Sequence, residues 1–116
     1  MDGRMQRRKS KRVAIRLEIQ YRAPEEKTFR VGVTDNVSEK GLKFQSPRPF
    51  PEETTLEFKM RLPGTLESLA FKGRVARVKS TGVSDRYDVG VTITEIKDTD
   101  RNKLKAKISS FNIPFA

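Results

Sequence analysis

Residues 13–21 read VAIRLEIQY, and hydrophobic side chains occupy every second position without a break. Because successive side chains of a β-strand point to opposite faces, this period of two predicts a strand with one buried face. The same pattern returns five times, near residues 29–33, 42–44, 56–62, 69–78 and 87–93, with turn residues between the runs. Six short strands separated by turns predict an all-β fold, a small antiparallel β-barrel.

The period changes near Asp98. Leu104, Ile108 and Phe111 are spaced four and three residues apart, which predicts a short amphipathic helix over about residues 97–111. Its narrow hydrophobic stripe suits a helix that covers one end of the barrel. Gly73, inside the fifth run, indicates a β-bulge or a bend. Residues 13–116 are therefore predicted to form one domain, a barrel with a C-terminal helix, and residues 1–12 a flexible basic arm.

The composition excludes several classes of protein. The 116 residues include no Cys and no His, so thiolate chemistry, disulfides, classical catalytic triads and most zinc sites are not available. No paired carboxylates suggest an active site, so we expect neither an enzyme nor a cofactor or metal. The first 30 residues lack the hydrophobic run of a secretion signal, and no segment has the length of a membrane span. We therefore expect a cytoplasmic protein.

Positive charge is concentrated near the start of the chain. The net charge is +10, and residues 4–16, RMQRRKSKRVAIR, contain seven Lys or Arg and no acid. Such a segment favours an anionic partner, either nucleic acid, a membrane surface or a phosphorylated small ligand, although a solubilising arm has the same composition. Arg16 belongs to the predicted strand, which leaves Arg7, Arg8 and Arg12 on the segment before it. A guanidinium can form two parallel bonds to a phosphate and can also bond or stack on guanine.

A second unusual segment is NVSEKG at residues 36–41. Asn, Ser and Gly lie between two predicted strands, where a tight turn is needed, and Gly41 could adopt a positive φ without steric cost. Alone, this segment predicts only a turn in which a side chain bonds the backbone.

Together, residues 8–12 (RKSKR) and residues 36–41 resemble the signature of the PilZ domain family. The resemblance continues in residues 73–78 (GRVARV) and 87–91 (YDVGV), which look like later strands of that family. It implies a six-stranded antiparallel barrel with a C-terminal α-helix. It also implies a receptor for the bacterial second messenger cyclic-di-GMP, a ring of two phosphates and two guanines.

The resemblance assigns roles to the residues of both motifs. Arg8 and Arg12 are expected to bind the phosphates and to stack on or bond guanine. Asn36 is expected to bond a guanine edge, and Ser38 either guanine or a phosphate oxygen. Gly41 would let the backbone pass close to the ligand.

Arg7 directly precedes the first motif, and family members with an extra Arg at that position tend to bind two stacked cyclic-di-GMP molecules. The expected ligand is therefore two molecules per chain. We expect the arm to fold over the barrel when ligand binds and to relay a signal to a protein partner that controls motility, exopolysaccharide or biofilm formation.

Two alternatives compete with this interpretation. One is a small basic barrel that binds single-stranded nucleic acid, although the aromatic residues mostly occupy inward-facing strand positions and no Trp is present to stack on bases. The other is a PilZ-like protein-interaction module that binds no nucleotide, which the presence of both motifs argues against.

Overall fold

The computed structural model describes residues 12–111 and consists of six strands followed by one helix. The elements are β1 (Glu18–Arg22), β2 (Arg30–Ser38), β3 (Gly41–Ser46), β4 (Thr55–Arg61), β5 (Ser68–Ser80), β6 (Tyr87–Ile96) and α1 (Asp98–Phe111). The strands form a closed barrel in the order β1-β2-β3-β6-β5-β4, and every neighbouring pair is antiparallel. The predicted all-β barrel with a C-terminal helix is confirmed.

The barrel interior is filled by the alternating hydrophobic residues of the strands. Tyr21, Phe44, Phe58 and Phe71 form a continuous series of ring contacts, with centroids 4.7, 6.0 and 5.1 Å apart. Aromatic side chains bury large apolar areas and favour tilted or offset contacts, so this series supplies much of the core. The alternation that predicted the strands therefore corresponds to their inner faces.

The first strand is shorter than predicted. Val13, Ile15 and Leu17 are buried as expected, but only Glu18–Arg22 joins the ladder as β1, and Val13 forms an isolated bridge to Val37. The cause lies in β2, whose register shifts between Thr34 and Asn36. A bulge bends its strand, so the partner strand loses regular pairing at that point.

Buried Thr34 bonds the backbone where the regular pairing ends. Its Oγ1 donates to the Ile15 carbonyl at 2.7 Å and accepts from the Leu17 N–H at 2.9 Å. A buried backbone group without a partner is costly, so this hydroxyl keeps the first segment attached to β2.

We therefore expect Thr34→Val to lower the free energy of unfolding by about 1–3 kcal/mol, because the Leu17 N–H and the Ile15 carbonyl lose a buried partner. Urea denaturation followed by circular dichroism measures the change. Thr94→Val is the matched control, since the Thr94 hydroxyl is exposed and reaches the Lys72 carbonyl at 3.3 Å. A Thr34→Val variant as stable as the control would contradict this role.

β5 is the longest strand, and its pairing with β6 is irregular at two places. The register shifts between Lys72 and Gly73, where the extra residue, Thr94, lies in β6, so the irregularity expected at Gly73 is present but the bulged strand is its partner. The register shifts again between Val75 and Arg77, where the extra residue, Ala76, lies in β5. A Cβ at Gly73 would overlap the Val91 side chain and lie 3.1 Å from the Thr92 carbonyl oxygen. Glycine therefore allows β5 and β6 to pack closely at this bend.

α1 packs Leu104 and Ile108 into the core, as the predicted stripe requires, while the side chain of Phe111 lies outside the described part of the structure. Arg101 Nη1 donates to the Glu39 carbonyl at 3.0 Å, and Lys107 Nζ donates to the Pro63 carbonyl at 3.3 Å. These contacts hold the helix against the β2–β3 turn and the segment after β4. Within residues 12–111, no helix is long and apolar enough to cross a membrane.

A small polar cluster forms around Glu26, at the turn between β1 and β2. The Glu26 carboxylate accepts from the Ala23 N–H at 2.9 Å and pairs with Arg30 at 3.3 Å and Arg48 at 2.6 Å. The backbone bond from Ala23 is the main reason that the pKa of Glu26 lies below its ordinary value, and the two arginines lower it further. The cluster connects this turn to the proline-rich segment after β3.

Candidate functional site

The two sequence motifs meet at one edge of the barrel. Arg12 Nη1 donates to Asn36 Oδ1 at 2.8 Å, although the residues are 24 positions apart. The paired backbone bonds of the Val13–Val37 bridge, both 2.9 Å long, hold the two segments side by side. A guanidinium has five N–H donors in a planar fork, so a single bond to Asn36 leaves most of the exposed Arg12 group able to bind an anion.

The composition of residues 36–41 suggested that Asn36 lies in a turn between two strands, but the structure places it in a strand. It belongs to β2, immediately after the bulge, and pairs with Lys43 of β3. The bulge explains the difference, because an inserted residue lets a strand continue through a segment whose composition resembles a turn. The turn itself consists only of Glu39 and Lys40, between the paired residues Ser38 and Gly41.

Ser38 stabilises this turn from inside. Its Oγ accepts from the N–H groups of Lys40 and Gly41, each at 3.1 Å, and the residue is buried. Serine at the first and glycine at the fourth position is a composition typical of tight turns. In the structure, the Ser38 hydroxyl is therefore already bonded to the turn beside Asn36.

Gly41 does not adopt the positive φ that its place in a turn-like segment suggested, and it is buried. Its closeness to a ligand stays a prediction. A Cβ at this position would overlap the carbonyl oxygen of Val91, because Gly41 pairs with Thr92 of β6. Glycine is needed here for close contact between β3 and β6.

A cavity of about 550 Å³ begins at Arg12 and Asn36 and continues over the outer wall of the barrel. Its floor crosses four neighbouring strands. Asn36 of β2 pairs with Lys43 of β3, and Gly90 of β6 pairs with Lys43 on one side and with Arg77 of β5 on the other. Neighbouring strands are about 4.8 Å apart, so this row of four residues extends over about 14 Å. The cavity is therefore long enough for a ligand larger than a single phosphate.

The cavity is electropositive. Among the residues that the structure describes, four cations line it, namely Arg12, Lys43, Arg77 and Lys79, against a single acidic residue, Asp88. Three of these cations and Asp88 were missed by sequence reasoning, because they come from β3, β5 and β6 and meet only when the barrel closes. Cations on a concave surface attract anionic ligands, so the site suits a ligand with more than one phosphate.

Arg7 and Arg8 lie outside the described residues, as does the basic arm up to residue 11. Of the six predicted site residues, the structure brings Arg12 and Asn36 together at the cavity and places Ser38 and Gly41 in the supporting turn. Among residues 12–111, no group of three or more carboxylates is arranged to hold a metal ion.

Fold and site together define a class of protein, a small closed β-barrel domain with an arginine–asparagine pair at the edge of a basic cavity. A family model, the PilZ domain, matches residues 6–110. The chain belongs to the PilZ domain family. Comparison with curated protein sequences gave no match.

Solved structures of PilZ proteins share the fold. The motility inhibitor MotI (DgrA) of Bacillus subtilis is 21% identical with a TM-score of 0.77, and the match covers 91% of this chain and 52% of that one. The PilZ domain of YcgR from Escherichia coli, solved with cyclic-di-GMP, is 14% identical with a TM-score of 0.73, covering 91% and 92%. MrkH of K. pneumonia, solved as a cyclic-di-GMP complex, is 14% identical with a TM-score of 0.71, covering 90% and 52%. The chain thus spans about half the length of MotI and of MrkH.

Proposed function

We propose that this protein is a cyclic-di-GMP receptor that acts through a change of conformation and catalyses no reaction. The observation that carries the proposal is the Arg12–Asn36 hydrogen bond at the edge of the basic cavity, which joins the two motifs of the family in one place. The cyclic-di-GMP present in the YcgR and MrkH structures supports the same ligand here.

The geometry suits the chemistry of this ligand. The guanidinium of Arg12 can give two parallel bonds to one phosphate while it keeps its bond to Asn36. Because Asn36 Oδ1 accepts from Arg12, the Asn36 amide NH₂ is the group left for the ligand, and it can donate to guanine O6 or N7. Arg8, four residues before Arg12, would bind the second phosphate or stack on a base.

The turn beside the candidate site is also in contact with the C-terminal helix. Glu39 lies in the turn that Ser38 stabilises, and its carbonyl accepts from Arg101 of α1. Its carboxylate lies 4.0 Å from Lys105 Nζ. Ligand contacts that shift this turn would therefore act on the helix, and the arm would fold over the barrel at the same time. We propose that these changes regulate binding to a protein partner in motility control, as the likeness to a motility inhibitor suggests.

We expect isothermal titration calorimetry to give two cyclic-di-GMP molecules per chain for the wild type and one for Arg7→Ala. A stacked pair of ligands carries four phosphate charges, and loss of one guanidinium leaves their repulsion less compensated. Arg4→Ala is the control, because it removes the same charge three residues earlier and should keep two. One molecule per wild-type chain would contradict the two-molecule site.

The structure weighs against single-stranded nucleic acid as the ligand. Folds of that type stack bases on exposed aromatic side chains. Among the described residues, five aromatic side chains are buried, and Tyr87 and Phe29 are half-buried. Arg22 and Lys59 already cover the Phe29 ring, at 4.4 and 4.5 Å from its centroid. An interaction module without nucleotide would not need the Arg12–Asn36 pair.

A further inference from the structure

The outer face of β6 carries three residues that the two motifs do not include. Asp88, Gly90 and Thr92 face outward between the buried residues Val89 and Val91, and all three line the basic cavity. They lie in the middle of the cavity floor, two strands away from Asn36.

Gly90 has no explanation in the fold. The other described glycines each have a reason. Gly64 and Gly82 have positive φ, Gly41 and Gly73 leave no room for a Cβ, and a Cβ at Gly32 would lie only 3.1 Å from the Tyr21 ring. Among residues 12–111, a Cβ at Gly90 would meet no atom nearer than the Arg77 Cβ at 3.8 Å, and the φ of Gly90 is not positive. Glycine inside a strand costs about 0.5–1 kcal/mol relative to Ala. A glycine in a strand interior often marks a bulge, a sharp bend or a place where a ligand approaches the backbone. The extra residue of the neighbouring bulge, Ala76, lies in β5 and not in β6, so the approach of a ligand is the reason that fits Gly90.

The neighbours of Gly90 suit a nucleotide. Lys43 and Arg77 pair with it on either side, so a cation flanks the glycine on both adjacent strands. The bulge of β5 between Val75 and Arg77 brings Arg77 into this register. A planar base lying on Gly90 would therefore have a cation on each side for its phosphates.

Asp88 can supply hydrogen-bond acceptors for the N–H donors of a guanine base. The residue is half-buried, and its carboxylate makes no hydrogen bond or ion pair with any other residue that the structure describes. A carboxylate offers two acceptor oxygens, which match the N1–H and N2–H₂ donors on the Watson–Crick edge of guanine. Asn36 is poorly suited to that edge, since its single acceptor oxygen is bonded to Arg12. Asp88 and Gly90 are two residues apart on β6, about 7 Å, so a base on the glycine can direct its edge to the carboxylate.

We propose that Asp88, Gly90, Arg77 and Lys43 form a guanine-selective subsite on the barrel wall, distinct from the Arg12–Asn36 pair and about 10 Å from Asn36. The base lies flat on Gly90, its Watson–Crick edge bonds Asp88, and the two cations contact phosphate. This subsite rests on the proposed function as a cyclic-di-GMP receptor and explains how guanine is chosen over adenine.

Asp88→Asn tests the subsite, with cyclic-di-GMP and cyclic-di-AMP titrated side by side by calorimetry. Removing a negative charge from a cationic cavity should strengthen the attraction of any phosphate, so a purely electrostatic role predicts tighter binding of both ligands. The subsite predicts that cyclic-di-GMP binds about tenfold or more weakly, because charged hydrogen bonds to N1–H and N2–H₂ are lost. Cyclic-di-AMP, whose adenine N1 is an acceptor, should bind equally or more tightly.

Asp85→Asn is the matched control, because it removes the same charge from an exposed position in the turn before β6 and should leave both affinities unchanged. Gly90→Val, a second variant with a residue that strands favour, should keep its melting temperature and lose at least tenfold in cyclic-di-GMP affinity. If Asp88→Asn and Gly90→Val both bound cyclic-di-GMP with the wild-type affinity, the subsite would be overturned while the proposed function would stand. Absence of cyclic-di-GMP binding by the wild type would overturn the proposed function, and the subsite with it.

Discussion

Arg12→Ala is expected to reduce cyclic-di-GMP affinity by about 100-fold or more. The substitution removes a planar fork that can form two charged hydrogen bonds to phosphate, each worth about 1.5–3 kcal/mol. It also releases Asn36, whose side chain is positioned by the 2.8 Å bond from Arg12. The affinity is measured by calorimetric titration, and circular dichroism shows whether the barrel is intact.

Two controls separate the role of Arg12 from that of a positive charge in general. Arg16→Ala removes an exposed guanidinium four residues later on the same segment, and its affinity should stay near the wild-type value. Arg12→Lys keeps the charge but loses the bidentate geometry, so it should recover only part of the affinity. If Arg12→Ala and Arg16→Ala weakened binding equally, the motif would act only through charge, contrary to the proposed site.

Gly41→Ala is expected to cause the largest loss of stability, about 3 kcal/mol or more in the free energy of unfolding. The added methyl would overlap the backbone carbonyl of Val91, and backbone cannot rotate away as a side chain can. β3 and β6 would have to separate at the residues that support the motif turn. Urea or thermal denaturation measures the change, with a fall in melting temperature of roughly 10 °C or more.

Gly90→Ala is the matched control for stability. Both glycines lie in paired strands, but the methyl at Gly90 would make only ordinary contact with Arg77. Its stability should be unchanged or up to about 1 kcal/mol higher, because alanine has less freedom to lose on folding. Equal stability of Gly41→Ala and the wild type would show that the close contact with Val91 does not constrain this position.

The strands and the helix were predictable because a half-buried element carries its period in the sequence. The alternation from Val13 to Tyr21 indicated an inward face correctly, yet it could not show that regular pairing begins only at Glu18. That boundary depends on Thr34 and the adjacent bulge, which belong to a different strand. The hydrophobic alternation of one segment does not show which distant segment it pairs with or where that pairing begins.

The candidate site was predictable only in part, and for the same reason. The pairing of Arg12 with Asn36 agrees with the two motifs that the sequence displayed. Lys43, Arg77 and Asp88 had no local signal, since each is a charged residue on a strand and none is fully buried, as is usual for charged residues. Gly90 did carry a signal, a glycine at an outward position of its strand, whereas Gly73 takes an inward position, but only the structure shows that a Cβ would fit at Gly90 and not at Gly73.

The most direct test of the proposed receptor is a calorimetric titration of the wild-type chain at physiological salt, with cyclic-di-GMP in one series and a single-stranded oligonucleotide in the other. We predict saturable binding of cyclic-di-GMP that persists as salt is raised, and weak oligonucleotide binding that falls steeply with salt. No binding of cyclic-di-GMP, or oligonucleotide binding of equal affinity, would contradict this prediction.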